Sequence, residues 1–359
     1  MTVGKKALDF DKVLEHIGPL GKWQWVQSLC MLMVGACAGI GAVTFAFTAY
    51  EPNYRCVMPE CNESISNGSY HTLESVAALS VMFPTKSIEE AGRQCYRFSG
   101  ANQCGNYSRL QPKERCSNSE LIFDTRVVSS SIVQDLNMLC DQAYQKSIFS
   151  SLYTVGVLLG SFVIGVTSDT FGRKPAMMLS IACIGFSGVI KVFTTNKIVF
   201  AILRVFHGIG GKGCALVAYV ASAECSLPRY KVLLMFIAGM GFQLGEFLYA
   251  VEAYFLRDWI TLQLAVHIPI LFLIFLYFVV PESGRWLISQ GKSEEAKKIL
   301  IRRAKINNFG PIPDHIFESD DESKTVANKN RLTFWQTLLA ISKSSHSMIV
   351  YHSIPYLLQ

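Results

Sequence analysis

Charge is scarce in this 359-residue chain: 17% of its residues are Asp, Glu, Lys or Arg, against about a quarter in an average soluble domain. Hydrophobic residues make up 50% and aromatics 12%, with a positive mean hydropathy of +0.29. That balance excludes an ordinary soluble globular protein. Catalytic patterns are missing too. No GxSxG, HExxH or GxxxxGK[ST] occurs, which excludes the signatures of serine hydrolases, zinc proteases and P-loop enzymes, so no enzyme and no cofactor are expected. His207 and His267 have no metal-ligand spacing to another His, Cys or carboxylate, and no metal site is expected. The net charge of +6 collects in segments that flank apolar runs, so nucleic acid is not implied. A cleavable signal peptide is not expected either: the first apolar run starts near Val26 after a polar opening and is too long for a signal core.

What the chain does have is long apolar runs. A bilayer core of about 30 Å needs around 20 apolar residues in a helix. Such runs fall at 26–47, 148–167, 176–193, 198–221, 232–254 and 259–280. The expected fold is therefore an all-α polytopic membrane protein, with transmembrane helix 1 at 26–47 and helices 2–6 within 148–280. Residues 1–25 precede the first span with Lys5, Lys6, Lys12 and Lys22, and with Leu8, Phe10, Val13, Leu14 and Ile17 at helical spacing, the pattern of an interfacial amphipathic helix.

Between the first two spans, 48–147 contains no run long enough to cross. It carries Cys56, Cys61, Cys95, Cys104, Cys116 and Cys140 and the glycan acceptor triplets at Asn62, Asn67 and Asn106. An even cysteine set beside clustered acceptors places this loop on the oxidising, extracellular side, and six cysteines allow 15 pairings. Arg173, Lys174, Arg229 and Lys231 fall on the opposite side with the basic N terminus, so the N terminus is expected in the cytoplasm. Lys191, Lys197 and Arg257 are read as lying in or beside the connections on the outer side. Residues 281–345 read as a cytoplasmic loop with amphipathic helices. A further apolar stretch within 346–359 ends at Gln359 before it could span, and is expected to be the start of a truncated seventh helix.

The most informative stretch is Gly165 to Pro175, GVTSDTFGRKP. A turn this short makes two spans neighbours. Gly165 and Gly172 permit close approach and a tight turn, and Asp169 is placed to pair with Arg173 or cap the next helix. The spacing resembles the signature between helices 2 and 3 of the major facilitator superfamily. Within it, DFDKVLEHIGPLGKWQ, the six-cysteine loop, LNMLCDQAYQKS, RDWITLQLAVHIP and PESGRWLISQGKSEEAKKIL resemble the organic cation, anion and zwitterion transporters of animals. Gly284 stands where that family usually has proline.

The resemblance implies an N-terminal six-helix bundle of a twelve-span carrier, with substrate held between two halves that rock to give alternating access. It implies a plasma-membrane carrier of small organic ions in a lipid bilayer, cations foremost, with an anion or carnitine-like zwitterion carrier as the alternative. A non-transporting glycoprotein or incomplete half-transporter is the reading from a different class, and a homo-oligomer through the outer loop is carried as an expectation. The missing C-terminal half is the partner it calls for.

Charges inside spans are costly and must face protein or water. Lys212 matches a lysine of organic cation transporters and is read as pairing with a carboxylate. Gln243 and Glu246, at i and i+3, share a helix face and are placed in the substrate path, with a Lys212–Glu246 ion pair as the alternative. Tyr153, Tyr219, Phe242 and Tyr249 offer faces for a cation, the first three counted with the substrate-binding set. Arg204 with Gly208 and Gly210 resembles a second superfamily motif. Gly165, Asp169, Gly172, Arg173, Lys174, Arg204, Glu224, Glu282 and Arg285 are assigned to signature and gating positions.

Overall fold

Apolar runs of this length have no alternative to helix in a bilayer, because only a helix satisfies its own backbone. The computed structural model describes residues 10–18, 20–57, 95–98, 113–310 and 312–313. The helices are α1 (Phe10–His16), α2 (Lys22–Thr48), α3 (Ile132–Asp135), α4 (Tyr144–Phe171), α5 (Arg173–Val192), α6 (Lys197–Glu224), α7 (Lys231–Phe255), α8 (Trp259–Phe272), α9 (Leu276–Val279), α10 (Gly284–Ser289) and α11 (Ser293–Ile306). Among the described residues, six segments are long and apolar enough to cross a membrane: Lys22–Thr48, Cys140–Phe171, Arg173–Val192, Lys197–Glu224, Lys231–Phe255 and Trp259–Val279.

Two compact units form. Leu20–Trp286 holds the spans, and the described residues of the smaller unit are 10–18, 287–310 and 312–313. In the smaller unit, Ala296, Leu300 and Ala304 of α11 are buried at i, i+4 spacing. Glu294 and Glu295 in its first turn and Arg303 and Lys305 in its last complement the helix dipole. Asn307 donates from Nδ2 to the Ile17 carbonyl at 3.1 Å, and the Arg303 guanidinium lies 5.9 Å from the Phe10 ring.

In the larger unit α2 packs on α7 and α6, α4 on α6, and α5 on α6 and α8. Two seams are glycine-made. Gly39 of α2 meets the Phe242 carbonyl of α7, and Gly245 of α7 meets the Ala36 carbonyl of α2, both too close for a Cβ. Gly156 and Gly208 face each other between α4 and α6, a Cβ on Gly208 falling 2.9 Å from the Gly156 Cα. Without a hydrophobic drive between helices in lipid, this backbone approach is the packing force. Asn196 and Asp258 cap α6 and α8, their side-chain oxygens each accepting at 2.8 Å from the Ile198 and Thr261 N–H groups. The last apolar run is not one helix: α8 contains Pro269, and a 3-10 turn at Leu273–Phe275 separates it from α9. Helix α4 opens four residues before the second apolar run, at Tyr144, and α6 runs on past the fourth to Glu224.

The segment between α2 and α4 adds four short strands to the otherwise helical fold. β1 (Tyr54–Cys56) pairs antiparallel with β4 (Leu121–Phe123), and β2 (Tyr96–Phe98) with β3 (Lys113–Arg115). Disulfides join Cys56 to Cys116 and Cys95 to Cys140. Cys61, Cys104, Asn62, Asn67, Asn106 and the 346–359 stretch lie outside the described residues. The segment docks on the bundle through side chains of α6 and α8: Trp259 Nε1 donates to Asp135 Oδ2 at 2.7 Å, Lys197 Nζ donates to Gln142 Oε1 at 2.6 Å, and the Ser130 hydroxyl donates to Asp258.

Candidate functional site

The signature turn is built on Gly172, which closes α4 and opens α5 at φ 110°, a backbone region that L side chains rarely enter. The turn delivers Arg173 into a nest of acceptors. Its Nη2 donates to Glu224 Oε1 at 2.6 Å and its Nε to Glu224 Oε2 at 3.0 Å, while Nη1 reaches Asp169 Oδ1 at 2.9 Å and the Ser168 carbonyl at 2.6 Å. The Arg173 and Glu224 side chains are only 13% and 18% exposed, so this bidentate pair is shielded where charge-assisted bonds are strong.

Glu282 sits over the same turn. Its Oε1 accepts from the Arg173 N–H at 2.8 Å and the Ser283 N–H at 2.9 Å, and its Oε2 from the Lys174 N–H at 3.2 Å. A carboxylate on the N–H groups that open α5 is where the helix dipole favours negative charge. Arg285 donates to the carbonyls of Glu224 at 3.1 Å and Ser226 at 3.0 Å, and Trp286 Nε1 to the Asp169 carbonyl at 2.9 Å. Lys174 Nζ lies 3.8 Å above the Tyr277 ring. Thus Asp169, Gly172, Arg173, Lys174, Glu224, Glu282 and Arg285 converge, tying α4, α5, α6 and α10 at one end of the bundle. Trp286 and Tyr277 belong to this network although sequence reasoning did not single them out. Trp286 stood within PESGRWL, where its indole N–H was the available signal.

Two residues assigned to this group, Gly165 and Arg204, stand apart from the network. A Cβ on Gly165 would meet nothing within 4 Å, so that glycine serves no close approach among the described residues. Arg204 is not in the network. It lies at the other end of α6, buried at 2% exposure, with its guanidinium 4.4 Å from the Phe45 ring and 5.0 Å from the Tyr153 ring. There it lines a cavity of about 580 Å³ between α2 and α4 whose other lining residues include Glu51, Lys146, Ser150 and Thr154. Glu51 and Lys146 pair at 3.9 Å.

Tyr153, Lys212, Phe242 and Glu246 are half-buried, and Tyr219 and Gln243 are exposed. Among the described residues no hydrogen bond or ion pair joins any two of these six, and Lys212 has no carboxylate at ion-pair distance. Among the described residues, therefore, neither the Lys212–Glu246 bond nor another carboxylate partner for Lys212 is present. Gln243 and Glu246 still lie on one side of α7, and the Tyr219 hydroxyl reaches across to it, 2.7 Å from a Cβ placed on Gly239. Tyr249 is fully buried and donates to the Thr44 carbonyl at 3.5 Å, so it packs α7 on α2 and offers no free ring face. Lys191, read as a connection charge, is instead buried inside α5 at 1% exposure.

The sugar (and other) transporter family profile matches residues 93–355. Solute carrier family 22 member 4 of Mus musculus is 31% identical over 317 residues, covering 84% of this chain and 55% of that protein. The organic cation transporter protein of Drosophila melanogaster is 30% identical, covering 87% of this chain and 55% of that one. Organic cation/carnitine transporter 2 of Mus musculus is 30% identical, covering 90% and 58%. The chain thus spans a little over half the length of these curated relatives. In fold it matches the major facilitator superfamily proton:xylose symporter XylE, with TM-score 0.50 and 18% identity over 80% of this chain and 50% of that one. Six membrane-capable helices, the Gly172 turn with its charge network, and these similarities lead to one assignment: the chain belongs to the sugar (and other) transporter family of the major facilitator superfamily, and is organic cation transporter-like in sequence.

Proposed function

We propose that this chain forms the N-terminal, six-span half of a plasma-membrane carrier for small organic ions, organic cations foremost, working by alternating access. Its N terminus and the Arg173–Glu224 end face the cytoplasm, and the cysteine-rich segment faces outward. The observation that carries the reading is the identity of about 30% with organic cation transporter proteins, sustained over nearly the whole chain.

A second half, of the kind that the longer relatives have room for, would cover the faces of α6 and α7 that bear the half-buried Lys212 and Glu246 and the exposed Tyr219 and Gln243. Substrate would lie between the halves, with aromatic faces and the Glu246 carboxylate meeting an organic cation. The Asp169, Arg173, Glu224 and Glu282 cluster would serve as the latch whose engagement differs between inward-facing and outward-facing states.

Uptake of radiolabelled tetraethylammonium, with an organic anion in parallel, by cells expressing the full-length protein tests the proposal. Saturable cation uptake that falls on depolarisation and is lost in Glu246→Gln supports it. The membrane potential would supply about 2.3 kcal/mol per charge per 100 mV. Saturable anion uptake in its place would assign the anion reading, and no flux of either by a surface-expressed protein would leave a non-transporting glycoprotein.

A further inference from the structure

Four basic side chains lie buried together in the bundle: Lys191 from α5, Arg204 and His207 from α6, and His267 from α8, at 1%, 2%, 0% and 0% exposure. The His207 and His267 ring centroids are 5.2 Å apart, and Tyr153 lies 6.2 Å from His207. Lys191 is within Coulomb reach of both imidazoles and of Arg204. Among the described residues no carboxylate pairs with Lys191 or Arg204.

The imidazoles do not supply negative charge. His267 Nδ1 lies 2.8 Å from the Gln263 carbonyl oxygen, which only accepts, so Nδ1 carries the hydrogen. His207 Nδ1 lies 3.1 Å from the Ser187 hydroxyl. The two Nε2 atoms are buried without a hydrogen-bond partner, and so is Arg204 Nη1. The contacts recorded for the Arg204 guanidinium are a long bond from Nε to the Phe149 carbonyl, at 3.4 Å, and the faces of Phe45 and Tyr153. A guanidinium stays charged in any protein environment, and an uncompensated buried charge is strongly destabilising. The neighbouring ammonium adds like-charge repulsion.

We propose that this cluster is an anion site, in which a monatomic anion of chloride's size and charge sits between Arg204 Nη1 and the Lys191 ammonium, with the two imidazoles as its uncharged walls. Arg204 also lines the cavity of about 580 Å³, which gives the ion a route from the end where Glu51 and Lys146 pair. Lys191 and both imidazoles are almost closed to solvent, so the cost of shedding water favours a monatomic anion over sulfate or phosphate, which are larger and more strongly hydrated. Such an ion offsets the field of two buried cations beside the cavity, whatever solute the carrier moves.

The test compares thermal unfolding midpoints of the purified full chain in sodium chloride and in sodium gluconate at equal ionic strength. A ligand held only by the folded state raises the midpoint as its concentration passes its Kd. A saturable upward shift of roughly 2 °C or more in chloride, lost in Lys191→Met, is the expected result. Lys191→Met in gluconate should also unfold above the parent in gluconate, since it removes an uncompensated charge. Equal midpoints for the parent chain in the two salts would overturn the proposal and point to a neutral Lys191 amine. A chloride shift that survives Lys191→Met would overturn it as well. Should that variant not fold, crystals grown in bromide decide: an anomalous peak between Lys191 Nζ and Arg204 Nη1 supports the site, and its absence removes it.

Discussion

Arg173 opens α5 with its guanidinium held by Glu224, the last residue of α6, through bonds of 2.6 and 3.0 Å. Fifty-one positions of chain separate them, so the pair closes two hairpins into one end of the bundle. Removing Arg173 leaves the shielded Glu224 carboxylate without this counter-ion, and removing Glu224 leaves Arg173 only the exposed Asp169 carboxylate. Glu224→Gln and Arg173→Ala are each expected to cost about 2–3 kcal/mol. Their double mutant should cost clearly less than the sum, with a coupling of at least about 1 kcal/mol by thermal or denaturant unfolding. Additive losses would mean that the two side chains do not act on each other.

Gly172 makes that pair possible, because its positive φ turns the chain between two helices and brings the N–H groups of α5 under Glu282. A Cβ there meets the Glu282 carboxylate and is strained by the backbone itself. Gly172→Ala should destabilise by about 1–3 kcal/mol. In a Glu282→Ala background, which already lacks three N–H bonds to the carboxylate, the same substitution should cost less by its steric part alone, and no cost there would show that the backbone strain is negligible.

The sequence disclosed this end of the molecule well, because its chemistry is local: G-x3-D-x2-G-R-K fixes a turn, and Glu224 and PESGRWL end other helices at the same level. What lay beyond reach was set by helix rotation, which spacing alone does not give. Lys191 looked like a connection charge three positions before Thr194, yet the last turn of α5 points it inward. Lys212 and Glu246 sit on packed helices, yet no bond joins them. Gly165 had the spacing of a packing glycine, but the helix face it occupies is unpacked in this chain.

The cysteine-rich segment allowed 15 pairings from six cysteines, and topology selects among them by bringing β1 beside β4. Non-reducing peptide mapping by mass spectrometry should recover Cys56 linked to Cys116 and Cys95 linked to Cys140. Loss of either link is expected to cost about 2–4 kcal/mol and to lower surface expression. The Cys95 link should matter more for docking, since Cys140 opens the second membrane-capable segment. Recovery of other pairings as the major species would refute this arrangement.

Asp258 joins this segment to the bundle. Burial pushes its carboxyl pKa up, but hydrogen bonds from the Ser130 hydroxyl and from the Thr261 side chain and N–H outweigh burial and hold it below the ordinary value of 3.8. A carboxylate with a depressed folded-state pKa contributes stability that is fully present above its unfolded pKa and lost as pH falls through the folded one. The unfolding midpoint should therefore drop as pH falls below about 4, and the slope in that window should be shallower in Asp258→Asn and Ser130→Ala. An unchanged slope in both variants would remove Asp258 from the acid response.

Gly39 and Gly165 separate two reasons for a glycine in a membrane helix. At Gly39 the carbonyl of Phe242 occupies the space a Cβ would need. Gly39→Ala must therefore push α2 away from α7 along a seam where every other contact depends on close approach. A loss of about 2 kcal/mol or more is expected, within the range for overpacking. At Gly165 the Cβ enters open space, and alanine is the better helix former by about 1 kcal/mol. Gly165→Ala should therefore leave this chain's unfolding midpoint unchanged or slightly raised. If Gly165→Ala then impairs transport by the full-length protein while folding is intact, the crowded neighbour of Gly165 lies outside this chain, on the surface that covers α4. If Gly165→Ala destabilises this chain as much as Gly39→Ala does, the face of α4 at Gly165 is packed, and the distinction between the two glycines fails.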